Sequence, residues 1–259
     1  MSDKILSRIR RLNWVLTEST TGSLSYGQLS KILSEVINAN VYITDAYGNV
    51  LGTGYVNAED TSTEVDDKGE EKIPEYHNNN FMKISSTEAN ITGRETLDIM
   101  GEGYAMADKY HCIVPSFCGG DRLGTFIVTR YNRRFSDEDI ALCEYGAAVV
   151  GLEIRRNINI EKEKKESLVA AVKIALASLS FSEKEAVKKI FMEFDGDEGS
   201  IVTSRVAQKY DMTNSLVVNA LRKLESAGVL ISRSMGMKGT KIQIKNEYLR
   251  KCIDTDTAL

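Results

Sequence analysis

The stretch Thr203-Ser204-Arg205-Val206-Ala207-Gln208-Lys209-Tyr210-Asp211-Met212-Thr213-Asn214-Ser215-Leu216-Val217-Val218-Asn219-Ala220-Leu221-Arg222 decides the fold. Thr203 to Tyr210 reads as a short helix. Ala207 is the small residue that lets a second helix cross it closely. Asp211 stands at the tight turn, where a residue that tolerates positive φ is needed. Thr213 caps a second helix, which runs to about Ala227 and is stopped by Gly228. Val206, Tyr210, Val217 and Ala220 face a core, and Val217, Leu221 and Leu224 form the seam of the second helix. The other face carries Ser215, Val218, Asn219, Arg222 and Ser226. Asn is suited to adenine, and Arg to guanine or phosphate, in a major groove.

Outward from this stretch the pattern completes a winged helix-turn-helix. Upstream, Ser182 with Glu185 reads as a capping box for a helix that ends at Asp195-Gly196. Downstream, Val229 to Ser232 and Thr240 to Ile244 read as two strands joined by Met235-Gly236-Met237-Lys238-Gly239. From 203 to 245 there are eight basic residues against Asp211 and Glu225, inside a chain whose net charge is −4. A local cationic patch of this kind fits duplex DNA. Arg233, Lys238 and Lys241 fall on the hairpin, where a wing touches phosphates. A helical protein-interaction domain with solvated lysines is the competing reading.

The whole chain has 259 residues, 42% of them hydrophobic and 27% charged, which allows one or two packed domains and excludes wholesale disorder. No apolar run approaches the roughly 18 residues of a membrane span. The charged segment Met1 to Asn13 does not read as a secretory signal. The four cysteines form no CxxC pair, so a disulfide framework and a zinc ribbon are not expected. Two histidines, His77 and His111, do not make a metal site, and Asp195-x-Asp197-x-Gly199 fails the calcium-loop pattern. The expectation is a soluble, reduced, cytoplasmic protein that is not an enzyme.

The N-terminal half reads as α+β. Ile5, Leu6, Ile9, Leu12 and Leu16 share a helical face. Tyr26 to Asn38 is a second helix with Leu29, Ile32, Leu33, Val36 and Ile37 inward. Val41-Tyr42-Ile43 and Val50-Leu51 are strands about a turn at 47–49. Residues 57–72 read as an acidic loop, and 74–110 carry no clear pattern. Cys112 to Phe117 and Leu123 to Val128 make a hairpin around Gly119-Gly120-Asp121. The Gly119-x4-Gly124 spacing resembles a phosphate loop but lacks its Lys, so a nucleotide hydrolase is the remotest reading. Ser136 caps a helix with Asp137, Glu138 and Asp139 in its first turn. That helix continues to about Ser178, and its charged middle, Arg155 to Lys165, marks an exposed connector.

Val217 to Val229, followed by Ser232 to Thr240, closely resembles the CodY family of nutrient-responsive repressors from low-GC Gram-positive bacteria. Asp195 to Gly199, Glu144 to Ala147, Arg122 to Thr125 and Pro74-Glu75 resemble it too. The resemblance implies a GAF-like sensor over 1–136, a connecting helix over 137–179 and a winged helix-turn-helix over 180–259. It also implies a homodimer on an AT-rich palindrome. Thr203, Ser204, Arg205, Thr213, Asn214, Ser215, Val218, Asn219, Arg222, Lys223, Arg233, Lys238 and Lys241 are the expected DNA-facing residues. Relatives carry Arg where Asn214 stands, which predicts altered contacts near the start of the helix.

The resemblance further implies branched-chain amino acids (isoleucine, valine, leucine) and GTP as effectors. Tyr42, Ile73, Pro74 and Thr96 match the apolar slot and its threonine, and Glu153 matches a GTP contact. The arginine that relatives offer to the ligand carboxylate aligns near Thr63, and Asp98-Ile99-Met100 replaces an apolar triplet. The turn 45–49 carries no cation. These departures predict a weaker isoleucine response than in relatives, and they leave open a regulator with a different effector or none.

Overall fold

The computed structural model describes residues 2–18, 25–56, 63–65, 69–100 and 108–255. The chain divides into two compact units, Met1–Ile158 and Asn159–Leu259.

In the first unit, α1 (Ser2–Glu18) and α2 (Tyr26–Ile37) precede β1 (Asn40–Asp45) and β2 (Val50–Gly54). Then come β3 (Glu64–Val65), β4 (Glu71–Lys72), α3 (Glu75–Lys83), β5 (Glu88–Ile91) and α4 (Arg94–Met100). The hairpin β6 (Lys109–Cys118) and β7 (Asp121–Tyr131) follows, and α5 (Asp137–Ala177) begins. Five strands make an antiparallel sheet in the order β2-β1-β7-β6-β5.

Alternation along the strands builds two cores. Val41, Ile43, Cys112, Val114, Phe126 and Val128 point to the face where Leu29, Leu33, Ile37, Leu142 and Val150 pack. Tyr42, Ile113 and Ile127 point the other way, toward Ile73, Phe81, Ile84 and Ile91. The hairpin turn is Gly119-Gly120, both at positive φ (64° and 87°), with Cys118 opposite Asp121. A two-residue loop of this twist matches that of the flanking strands. Gly54 serves a different need: a Cβ there would stand 2.2 Å from the Ser30 carbonyl oxygen, so β2 lies directly on the backbone of α2.

Several expectations hold for this unit. Leu29, Leu33, Val36 and Ile37 are buried, and Asn38 ends α2 in the left-handed region at φ 58°. The Ser136 hydroxyl caps α5 at the Asp139 amide, and the Asp139 carboxylate accepts from Ser136 N. His111 is a core residue, its Nδ1 3.3 Å from the Ile91 carbonyl oxygen. Others need correcting. Leu6 is exposed, because α1 meets the core through Leu12, with Ile5 and Ile9 half-buried beside it. The side chain of Leu16 is not among those described. The stretch 57–72 is more than a loop: β3 pairs with β4 and Asn49 bridges to Lys72, while 57–62 and 66–68 lie outside the described residues.

The second unit holds the end of α5, then α6 (Phe181–Phe191), β8 (Glu198–Ile201), α7 (Thr203–Lys209) and α8 (Asn214–Ser226). It closes with β9 (Leu230–Ser234), β10 (Thr240–Ile244) and α9 (Leu249–Thr255). The three strands run in the order β8-β10-β9. Val172, Leu176, Ala186, Ile190, Val206, Val217, Leu221, Leu224, Leu230, Ile242 and Leu249 share one core.

Two details of the expected layout change here. The capping box is Ser180 with Glu183, two residues before the Ser182–Glu185 pair that the spacing suggested. Starting there turns Ala186, Val187, Ile190 and Phe191 into the core, and it leaves Glu185 on the flank, bonded to Lys188 at 2.8 Å. The helix also stops at Phe191, before Asp195-Gly196. Arg250 of α9 donates to the carbonyls of Phe191, Phe194 and Gly196 at 2.9–3.1 Å, so an irregular chain is satisfied there without a further helical turn.

Candidate nucleic-acid interface

The helix-turn-helix is built from local requirements. Ala207 is buried where α7 meets α8, and its carbonyl accepts the Met212 amide at 2.8 Å, which closes the turn. Asp211 sits at φ 53°, the left-handed geometry expected of it. The Thr213 hydroxyl accepts the Leu216 amide at 3.3 Å and starts α8. Val217, Ala220, Leu221 and Leu224 then fix one side of α8 in the core.

That burial dictates what the other side shows. Thr213, Asn214, Ser215, Asn219, Arg222 and Lys223 are exposed, and Val218 is half-buried among them. On α7, Ser204 and Arg205 are exposed and Thr203 is half-buried. On the wing, Arg233 and Lys241 are register partners across β9 and β10, so they share a face, and Lys238 is exposed on the 3-10 turn Gly236–Lys238.

The electrostatics are more divided than a tally of cations suggests. Lys209 donates to Glu193 at 2.8 Å, Lys223 donates to Glu183 at 2.7 Å, and Lys241 pairs with Glu198. Hydrogen bonds from Lys209 and then Tyr210 hold the Glu193 carboxyl below its ordinary value, and Glu193 in turn raises Lys209. Among the described residues no ion pair engages Arg205, Arg222, Arg233, Lys238 or Lys245. The acids lie outside the basic window in sequence, at 183, 193 and 198, so spacing within the window did not reveal them. The free cations and the polar face of α8 together can bind phosphates and read base edges.

The chain matches the CodY GAF-like domain over residues 4–178 and the CodY helix-turn-helix domain over residues 197–255. The chain belongs to the CodY family. It is 44% identical over 245 residues to a "Global transcriptional regulator CodY" of Caldanaerobacter subterraneus subsp. tengcongensis, covering 95% of each chain. It is 42% identical over 251 residues to that of Clostridium perfringens, covering 95% of this chain and 96% of the relative. A solved structure described as the cofactor binding GAF domain of the nutrient sensor CodY from Clostridium difficile is 35% identical, with a TM-score of 0.48; the match covers 60% of this chain and 99% of that one. The chain is thus a CodY-family transcriptional regulator with a GAF-like domain and a helix-turn-helix domain.

On the sensor side, the residues expected to form the apolar slot are only partly brought together. Tyr42 and Ile73 join one core cluster, where the Tyr42 ring meets that of Tyr55 edge-on at 5.7 Å between centroids. Ile73 and Pro74 also line a cavity of about 460 Å3, together with Tyr47, Val65, Lys72 and Asn78. Tyr42 and Thr96 do not line it. Thr96 is fully buried on α4 with its hydroxyl unbonded, and Asn78 Oδ1 is buried and unbonded as well. Sequence reading missed Asn78, whose stretch showed no pattern. Unsatisfied buried polar atoms are uncommon in native proteins and mark places where a ligand or water completes the bonding. Arg94, at the start of α4, is exposed.

Glu153 is buried on α5. Its Oε1 has no partner and its Oε2 lies 3.8 Å from Arg156 Nη1. The charges of Glu153 and Asp45 both bear on the Tyr26 phenol, whose pKa is raised first by burial. Among the described residues no cluster suits a metal ion, and no helix is long and apolar enough to cross a membrane.

Proposed function

We propose that this chain is a DNA-binding global regulator, mainly a repressor, that reports nutrient status through branched-chain amino acids and GTP. It acts in the cytoplasm as a homodimer on an AT-rich palindrome. Residues 1–136 form the sensor, 137–179 the connecting helix and 180–259 the DNA-binding part. The observation that carries this reading is the division of α8: one side is core, and the other presents Asn219 and Arg222 to solvent beside a wing bearing Arg233 and Lys238. Asn219 and Arg222 enter the major groove, while Arg205, Arg233 and Lys238 hold phosphates.

In the sensor, Ile73 and Pro74 supply the apolar side of the effector pocket, Tyr42 packs in the same core cluster as Ile73, and Thr96 supplies a buried hydroxyl in need of a partner. Glu153 offers a buried carboxylate oxygen to the N–H donors of a guanine. Effector binding orders the segments around the pocket, and α5 carries the change to the DNA-binding part.

Electrophoretic shift and anisotropy titrations with an AT-rich palindromic duplex test the reading. Affinity is expected to fall with salt at a log–log slope of about −0.9 per phosphate contacted. A flat titration would remove the DNA assignment. A second reading, a regulator with another effector or none, is favoured by one observation: Arg94, the only arginine from 53 to 110, is exposed on α4. Binding that ignores both isoleucine and GTP would select it.

A further inference from the structure

Lys223 stands one turn after Asn219 on α8, at the margin of the exposed face. It is among the side chains expected to face DNA. Its Nζ instead donates to Glu183 Oε2 at 2.7 Å and to the Ser178 carbonyl oxygen at 3.3 Å. The same Glu183 oxygen accepts from Ser180 N at 2.7 Å, as half of the capping box that begins α6. One ammonium therefore joins the chain just past α5, the first turn of α6 and the last turns of α8. The Glu183 side chain is only 9% exposed, so its carboxylate is shielded as well as paired. A phosphate that drew Lys223 away would leave that carboxylate without its counter-charge beside a polyanion, which is costly.

A second tether reaches α5 itself. Asn246, buried just after β10, donates from Nδ2 to the Leu168 carbonyl oxygen of α5 at 2.8 Å, while its Oδ1 accepts the Tyr248 amide. The reading helix is fastened to α6 and to the chain just past α5, and the chain that follows the wing is fastened to α5, each by a polar side chain.

We propose that Lys223 is a positioning residue: through Glu183 it sets the angle of α8 against the corner between α5 and α6, and it contacts no phosphate. The proposal rests on the DNA-binding reading above, and its test separates the two. The full chain and its K223M, E183Q, K223M/E183Q, K223R and R233M variants are titrated with an AT-rich palindromic duplex at several salt concentrations. Gln at position 183 keeps the capping bond and removes the charge. Circular dichroism and the thermal midpoint check folding.

A positioning role predicts that K223M and E183Q each weaken binding about threefold or more. The double variant then matches the single ones, as expected of two members of one contact. K223R restores affinity. The salt slope stays at the wild-type value in all of these, whereas R233M, which removes a phosphate contact of the proposed function, lowers it by about 0.9. A wild-type chain that binds with a flat salt titration removes the DNA reading itself. A steep wild-type titration overturns the positioning role alone if the K223M slope drops by about 0.9, if E183Q binds more tightly, or if neither variant changes affinity.

Discussion

Asp139 shows how one residue serves several neighbours. Its carboxylate accepts from Arg130 at 2.6 Å and from Arg133 at 3.1 Å, lies 3.6 Å from Arg8, and caps α5 at Ser136 N. Burial pushes its carboxyl up, but the bonds from Arg130 and Ser136 outweigh that and leave it below the ordinary value. A depressed carboxyl stabilises the fold at pH values above its unfolded pKa. The contribution is lost as pH falls through the lower folded value. The only tryptophan, Trp14, lies on α1 and reports on the first unit. Urea titrations followed by its fluorescence are expected to show stability declining from about pH 5 downward. Asp139→Asn flattens that decline and costs about 3 kcal/mol at neutral pH, because Arg130 is left buried without its counter-ion. An unchanged pH profile in the variant would discount the cluster.

Among the elements, β2 and α2 meet backbone to backbone. Gly54→Ala places a methyl 2.2 Å from the Ser30 carbonyl oxygen, and neither backbone is free to yield. The expected loss is about 1–3 kcal/mol, read from the urea midpoint of Trp14 fluorescence. Regular elements were legible where periodicity and caps agreed: α2, the β6–β7 hairpin, α5, α7 and α8 follow from apolar spacing and turn residues. The short elements between Glu64 and Met100 were not. Two-residue strands and a seven-residue α4 give periodicity too little length to register. The start of α6 was ambiguous for another reason. Ser180-x-x-Glu183 and Ser182-x-x-Glu185 are overlapping caps, and only the core decides between them. α9 went unread, and with it the guanidinium of Arg250 that ends α6.

For the whole molecule, the exposed face of α8 was more legible than the cavity beside Ile73. Groove-facing residues follow from one helix period, whereas a pocket gathers residues from turns and short strands far apart in sequence. Tyr42, Ile73 and Thr96 were named through family resemblance, and Asn78 emerged only from the fold. The family resemblance aligns the expected carboxylate-binding arginine near Thr63, and a bidentate carboxylate grip needs a guanidinium. Calorimetry of the full chain is therefore expected to give weaker isoleucine binding than in relatives that keep the arginine. Binding as tight as theirs would mean that another group holds the carboxylate.

The internal pairs of Lys209 with Glu193 and of Lys241 with Glu198, on the DNA-binding unit, bear on how the protein behaves among the vast excess of irrelevant chromosome. Each resident carboxylate is a rival that any passing phosphate must displace. Random sequence, offering charge alone, gains little by that exchange. A true operator brings base-edge bonds as well, so the acids thin out idle occupancy while leaving the intended site its advantage.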